Sequence, residues 1–287
     1  MKLAPKYVEK PWGRAGLATV PEALRARRIG EIWFEAPPGK QGAGGNLPLL
    51  VKHLFTDELL SVQVHPDDAQ AKARGLASGK SECWYILDAV PGATLALGLK
   101  RPASAEEVRA AALDGSIERL LHWQKVRPGD FFYVPAGTIH AIGPGISLVE
   151  VQQPADVTFR LFDYGRPRDL HLAEALDVAV RTPYPPELIK RASPDRGTLF
   201  VGGPHFTLIA AAGRRGAGAL ADRDRFAFVL EGSASVAGET AGPADCLFVP
   251  RGAELDCSAD AALLIAAAGA WEAAEASPPV SERRRAA

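Results

Sequence analysis

Two imidazoles, a carboxylate and an amide stand out because each interrupts a run that would otherwise read as apolar strand. In SVQVHP, residues 61–66, a period of two puts Ser61, Gln63 and His65 on one face and Val62 and Val64 on the other. In GKSECWYIL, residues 79–87, the same alternation groups Lys80, Glu82 and Trp84. His140 follows the turn PAG, residues 135–137, at the start of a further strand. Delivered from three strands, Gln63, His65, Glu82 and His140 make a nitrogen and oxygen shell suited to one divalent cation, Zn²⁺ foremost, with outer positions left for water or substrate. Each has a plainer reading alone: a histidine after a turn is more often a hydrogen-bonded surface residue, and Glu82 could simply pair with Lys80 or an arginine. In VTFRLF, residues 157–162, alternation separates Val157, Phe159 and Leu161 from Thr158, Arg160 and Phe162. Arg160 need not therefore be core, and a planar guanidinium suits an anionic group or a developing oxyanion.

The elements that must carry these residues are short β-branched and aromatic runs punctuated by Gly and Pro: LLVKHLF, LSVQVHP, ECWYIL, TLALGL, DFFYVP and ISLVEVQQ, then HFTLIAAA, RFAFVLEG, CLFVP and ALLIAAA. So many short strands imply sandwiches or small barrels. Helical patterns interrupt them at residues 104–123, opened by a Ser-x-x-Glu cap, and at 169–180. The segment PGDFFYVPAGTIHA, residues 128–141, recurs without a gap as PADCLFVPRGAELD, residues 243–256, with Leu255 at the position of His140. Aligning WYIL, residues 84–87, on AFVL, residues 227–230, sets Arg225 opposite Glu82. Two related β domains are the economical explanation, one keeping a metal and the other kept as scaffold. The expected divisions are a metal-binding domain with helical insertions over 1–181, a proline-rich connection over 182–197, a degenerate second domain over 198–272 and a frayed polar tail over 273–287.

The spacing Pro128-Gly129-Asp130, Pro135, Gly137, His140 resembles the second motif of cupins, jelly-roll barrels of the double-stranded β-helix type that hold a metal inside. The resemblance implies a mainly β protein of two such barrels with a few helices. The fuller set is similar to one family: PWG (11–13), PLLVK (48–52), SVQVHPDD (61–68), KSECWYIL (80–87), GTIHA (137–141) and EVQQPADVTFRLFDYGR (150–166). It resembles the type I mannose-6-phosphate isomerases in their short bacterial form, firmly from Trp12 to about Val180. By motif position the resemblance implies metal ligands Gln63, His65, Glu82 and His140 and the active-site arginine Arg160. It further implies substrate-phosphate contacts at Ser61 and Arg166, and pocket residues Lys52, Lys80 and Glu150. Ser81 stands where that family usually shows proline, which predicts an intact direction for Glu82 but a looser start to its strand.

The activity so implied is interconversion of mannose 6-phosphate and fructose 6-phosphate through an enediol. Arg160, Lys80 and Glu150 are the candidates for its catalytic work, and Glu150, Lys80 and a metal-bound water all stand as candidates for carrying the proton. The rivals are an Fe(II) cupin dioxygenase, which needs no phosphate-binding cations, and a non-catalytic sugar-binding cupin. The composition is that of an ordinary globular protein: 47% hydrophobic and 23% charged over 287 residues. Net charge is −1 with the basic residues scattered, which argues against nucleic acid or a membrane as partner and leaves a small sugar phosphate. The N-terminal MKLAPKYVEKPWGR lacks the apolar run of a signal peptide, no segment offers about 20 apolar residues in a row, and Cys83, Cys246 and Cys257 lack CxxC spacing. A cytoplasmic enzyme with buried thiols is the expectation.

Overall fold

The computed structural model describes residues 1–39, 47–191, 198–213 and 217–270. The expected tail over 273–287 lies outside the described residues. Four antiparallel sheets stack in sequence, and strand alternation explains the stacking. The largest runs, edge to edge, Ala4–Arg14, Ile29–Glu35, Leu50–Phe55, Ile146–Gln152, Glu82–Ala89, Asp130–Val134 and Ile189–Arg191. One of its faces carries Leu54, Trp84, Ile86, Phe132 and Leu148, which pack on Leu95, Leu97 and Ile142 of a five-stranded sheet. That second sheet runs Phe159–Phe162, Val62–Val64, His140–Ile142, Thr94–Leu99 and Leu121–Lys125. Its outer face, Val62, Val64, Ala96 and Leu161, is covered by Val108, Ala111 and Ala112 of helix Ala105–Asp114 and by Ala175 and Val178 of helix Leu172–Val178.

The other face of the seven-stranded sheet, with Val51, Phe55, Cys83, Tyr85, Phe131 and Val149, packs on Phe200, Phe206, Phe226, Phe228 and Leu264. These belong to the five-stranded sheet Thr198–Gly202, Phe206–Ala212, Ala262–Ala268, Arg225–Glu231, Cys246–Val249. Its far face closes on a three-stranded sheet through Ala227, Val229, Leu247 and Leu263 against Ala234, Val236, Ala241 and Cys257. The N-terminus ties the halves together: Leu3 donates its N–H to the Cys246 carbonyl at 2.9 Å and Phe248 donates to the Met1 carbonyl at 2.8 Å. Cys83, Cys246 and Cys257 are free and buried, as expected.

The internal repeat holds at the level of register. Glu82 faces Val134 across its ladder and Arg225 faces Val249, each valine preceding the proline of its copy of the turn. Two expectations need correcting. The helix expected over 104–123 stops at Asp114, where Gly115 takes φ +80° as the C-terminal cap, and after one short helix, Ile117–Leu120, the chain becomes the strand Leu121–Lys125. The stretch read as a bare connection supplies the edge strand Ile189–Arg191, paired with Asp130–Val134, and buries Tyr184 in the first core.

Candidate active site

Two rows of side chains face each other between the first two sheets. In the five-stranded sheet Arg160 pairs with Gln63 and Gln63 with His140, so adjacent strands set the three in one cross-strand row. In the seven-stranded sheet the row is Lys52, Glu150 and Trp84, and one pleat further along Gln152 faces Glu82. The space between is a cavity of about 260 Å³ lined by Ser61, Gln63, Lys52, Lys80, Glu150 and Arg160, together with Lys10, Trp12, Glu31, Leu54, Leu60, Asp156, Thr158, Arg168 and His171. A larger, more open hollow of about 460 Å³ adjoins it at Asp156, but among the described residues its lining holds no histidine, lysine or arginine.

Next to Gln63 and Lys80 of that lining, His65, Glu82 and His140 converge with their ligand atoms within 4.8 Å of one another. Glu82 Oε2 lies 3.5 Å from His65 Nε2, and Oε1 lies 3.4 Å from His140 Nε2. Gln63 Nε2 is 3.1 Å from His140 Nε2, and its Oε1 accepts the Ser61 hydroxyl at 3.1 Å. A half-turn of that amide exchanges its oxygen and nitrogen. His140 Nδ1 lies 2.8 Å from the Thr138 carbonyl, which fixes the proton on Nδ1 and leaves Nε2 as a lone pair aimed inward.

These residues fit a metal. A tetrahedral Zn²⁺ with bonds of about 2.0–2.2 Å spaces its donors about 3.3–3.6 Å apart, the separation Glu82 shows to both imidazoles. Glu82 is wholly buried, yet neither of its oxygens receives a well-directed hydrogen bond. Lys80 Nζ approaches Oε2 at 2.8 Å and His65 Nε2 at 3.1 Å. Burial, reinforced by the Glu150 charge and opposed by Lys80, holds the Glu82 carboxyl above the ordinary carboxylate range. Burial pushes His140 down to about 4, and burial with the nearby Lys80 charge pushes His65 well below its usual value. Both imidazoles are therefore neutral lone-pair donors at physiological pH.

In the cavity lining, Glu150 Oε1 meets Lys52 Nζ at 3.1 Å, and Oε2 accepts the Trp84 indole N–H at 3.0 Å. Burial alone would raise Glu150, but Lys52 and Lys80 outweigh it and hold the carboxyl down at about 2. Burial likewise opposes the Lys52 charge, and Glu150 and Glu31 outweigh it, keeping the ammonium above the usual lysine range. Glu31 in turn pairs with Lys10 at 3.2 Å.

Of the residues expected here, Arg166 is not brought in. Its guanidinium is held by the Leu59 carbonyl, by Asp163 at 3.2 Å and by Glu58 at 3.8 Å, outside the cavity lining. Arg168 lines the cavity instead, anchored to buried Asp163 by two bonds of 2.6 Å. Thr158 was available from the alternation that placed Arg160. Lys10, Glu31, Asp156, Arg168 and His171 carried no such signal. His171 Nδ1 accepts the Arg160 backbone N–H at 3.3 Å, a link that joins the strand to the segment after its turn.

No protein-family model matches the chain. It is 37% identical over 217 residues to the mannose-6-phosphate isomerase ManA of Bacillus subtilis, a match covering 64% of this chain and 68% of that one. It is 45% identical over 137 residues to the mannose-6-phosphate isomerase of Streptococcus mutans, covering 46% of this chain but only 43% of that protein's length. The crystal structure of the mannose 6-phosphate isomerase from Bacillus subtilis superposes with a TM-score of 0.73 at 26% identity, over 93% of this chain and 98% of that one.

Proposed function

The chain belongs to the mannose-6-phosphate isomerase family, and from that premise we propose that it interconverts mannose 6-phosphate and fructose 6-phosphate through an enediol. The observation that supports this most directly is the under-bonded Glu82 carboxylate between two neutral imidazoles, next to Gln63 and Lys80 of a cavity rich in cations. Gln63, His65, Glu82 and His140 would hold one divalent ion, for which the mixed nitrogen and oxygen set favours Zn²⁺. Such an ion supplies Lewis acidity toward the sugar oxygens at C1 and C2.

The remaining work falls to the chain's own side chains. Glu150 is ionised, and with Lys52 and Trp84 fixing its oxygens it serves as a rigid acceptor that orients a sugar hydroxyl. A carboxylate held at about 2 is a weak base for a carbon-bound proton, which favours an orienting role for Glu150, and Lys80 can carry the proton between C2 and C1 only after giving up its own. Arg160, half-exposed on the facing row, meets the charge that develops on oxygen in the enediolate, and Ser61 reaches the phosphate end. Residues 1–181 are read as the catalytic unit and 198–272 as its support. The enzyme is read as a cytoplasmic one acting on a small sugar phosphate, with neither membrane nor nucleic acid as partner; among the described residues no helix is long and apolar enough to cross a membrane.

The test is a coupled assay for fructose 6-phosphate formed from mannose 6-phosphate, run before chelation, after it, and again with Zn²⁺ restored. Turnover that vanishes with the metal and returns with it is the expected result. A protein that binds one metal per chain and the sugar phosphate without turning it over would move the reading to a sugar-binding cupin.

A further inference from the structure

Ser81 precedes the ligand Glu82, and Gln153 follows the strand that carries Glu150; both are nearly fully buried, at 2% and 7% exposure. Two hydrogen bonds link them to one another. Ser81 donates its backbone N–H to Gln153 Oε1 at 2.8 Å, and Gln153 returns its own backbone N–H to the Ser81 carbonyl at 3.1 Å. The Ser81 hydroxyl accepts the Ala136 N–H at 3.2 Å, from the turn that leads into His140. Gln153 Nε2 donates to Asp68 Oδ1 at 2.9 Å, and that same oxygen accepts the Gly79 N–H at 2.8 Å. Two flanking backbone bonds complete the frame: Lys80 N–H to the Pro66 carbonyl at 3.0 Å and Gly137 N–H to the His65 carbonyl at 2.8 Å. At Gly79 the backbone comes so near that a Cβ would lie 2.5 Å from the Asp67 carbonyl carbon. Three segments that each bear a candidate metal ligand, 65–68, 79–82 and 136–140, are thus bonded to one another behind the donors.

We infer that Ser81 and Gln153 form a cross-brace that positions Glu82 and His140 for the metal. Ser81 therefore tightens the start of its strand, contrary to the looser start expected from a serine at this place: it offers an N–H and a hydroxyl, both of which are used, where a proline would have neither. The inference rests on the metal reading above and adds to it the residues that set the ligand spacing. Outer-shell partners of metal ligands are worth about 10–100-fold in metal affinity when removed. Neither residue is in the cavity lining.

The test is Zn²⁺ affinity, measured by competition with a chelating dye on the purified full chain, with urea unfolding of the metal-free protein alongside. Gln153→Leu removes the side-chain partners of Ser81 and Asp68, and is expected to weaken Zn²⁺ binding about 10–100-fold while the metal-free protein still unfolds cooperatively. Ser81→Ala removes only the hydroxyl, leaves the Gln153 bonds in place, and is expected to cost about 3–10-fold, so the brace can be tested even if the leucine variant fails to fold. The double variant should lose less than the product of the two singles, because both act through one unit. Zn²⁺ affinity unchanged in Ser81→Ala, or unchanged in a Gln153→Leu protein that has merely lost stability, would overturn the brace while leaving the metal site standing. A wild-type chain that binds no Zn²⁺ would overturn the metal reading and the brace with it.

Discussion

His53 sits at the seam between the two halves of the molecule, on the face of strand Leu50–Phe55 opposite to Lys52. Its Nε2 lies 2.8 Å from the Ser147 hydroxyl, its Nδ1 has no partner, and its ring lies 4.0 Å from that of Phe55 and 5.9 Å from that of Phe228 across the seam. Burial drives its pKa from 6.5 down to about 3. A depressed histidine leaves the folded state binding fewer protons than the unfolded one, so it costs nothing above about pH 6.5 and destabilises progressively below that value until about pH 3. At pH 5 the penalty is about 2 kcal/mol. In His53→Leu the loss is of another kind: one buried hydrogen bond, worth about 1 kcal/mol at any pH. The variant should therefore be about 1 kcal/mol less stable than wild type at pH 7.5 and about 1 kcal/mol more stable at pH 5, a reversal of order. Urea unfolding of chelated protein at the two pH values measures it; His65 and His140 are present in both proteins and drop out of the difference. A gap that stays constant from pH 7.5 to pH 5 would refute the reasoning, since it would mean that the buried imidazole accepts a proton as readily as a free one.

Two further outcomes are expected. Arg168→Ala should raise KM for mannose 6-phosphate at least about 10-fold and Arg166→Ala by no more than about 3-fold, because only Arg168 faces the cavity; equal effects in steady-state assays would return Arg166 to the phosphate. Arg225→Met should leave the protein about 1–2 kcal/mol more stable in urea, because the guanidinium is buried with Nε and Nη1 unpartnered among the described residues; a clear loss of stability would show that its bond to the Ala253 carbonyl matters more than its desolvation.

What was legible in the sequence was whatever a period of two can carry. Alternation put Gln63 on the opposite face from Val62 and Val64, and Arg160 opposite Phe159 and Leu161, and the valines, Phe159 and Leu161 are the ones in the core. It separated Glu82 and Trp84 from Cys83 and Tyr85 in the same way, and those pairs lie on opposite sides of the large sheet. The ungapped repeat likewise foretold the register that sets Arg225 where Glu82 sits. Turn residues have no such period. Arg166 and Arg168 lie two apart and compete for Asp163; which one turns to the cavity is decided by the Leu59 carbonyl and Glu58, more than a hundred residues earlier in the chain. Glu31 and Lys10 belong to the Lys52 and Glu150 network only because strands Ala4–Arg14, Ile29–Glu35 and Leu50–Phe55 lie side by side. The edge strand Ile189–Arg191 was hidden by the prolines around it, which are tolerated at a sheet edge and would not be in its middle.

The second half bears on the site without contributing to the cavity lining. In the first half the carbonyl of Thr138 fixes His140; in the second the matching carbonyl, Ala253, accepts from Arg225 at 3.0 Å, and Leu255 fills the histidine's place in the core. The turn closes the far core, and Arg225 and Leu255 stand in it where Glu82 and His140 stand in the first half. What the half does for the first one runs through single strands. Val51 and His53, Cys83 and Tyr85, and Val149 and Val151 face the seam, while Lys52, Glu82, Trp84 and Glu150 alternate with them on the opposite side, where Lys52 and Glu150 line the cavity. Phe131 stacks on Phe200 at 4.7 Å, and Phe34 meets Phe228 edge to face at 5.7 Å. Backbone that is packed on one face cannot shift on the other without breaking those contacts, and donors that must stay about 3.4 Å apart tolerate little drift. The second half, packed against the back of the sheet, supplies that rigidity without adding a residue to the cavity lining.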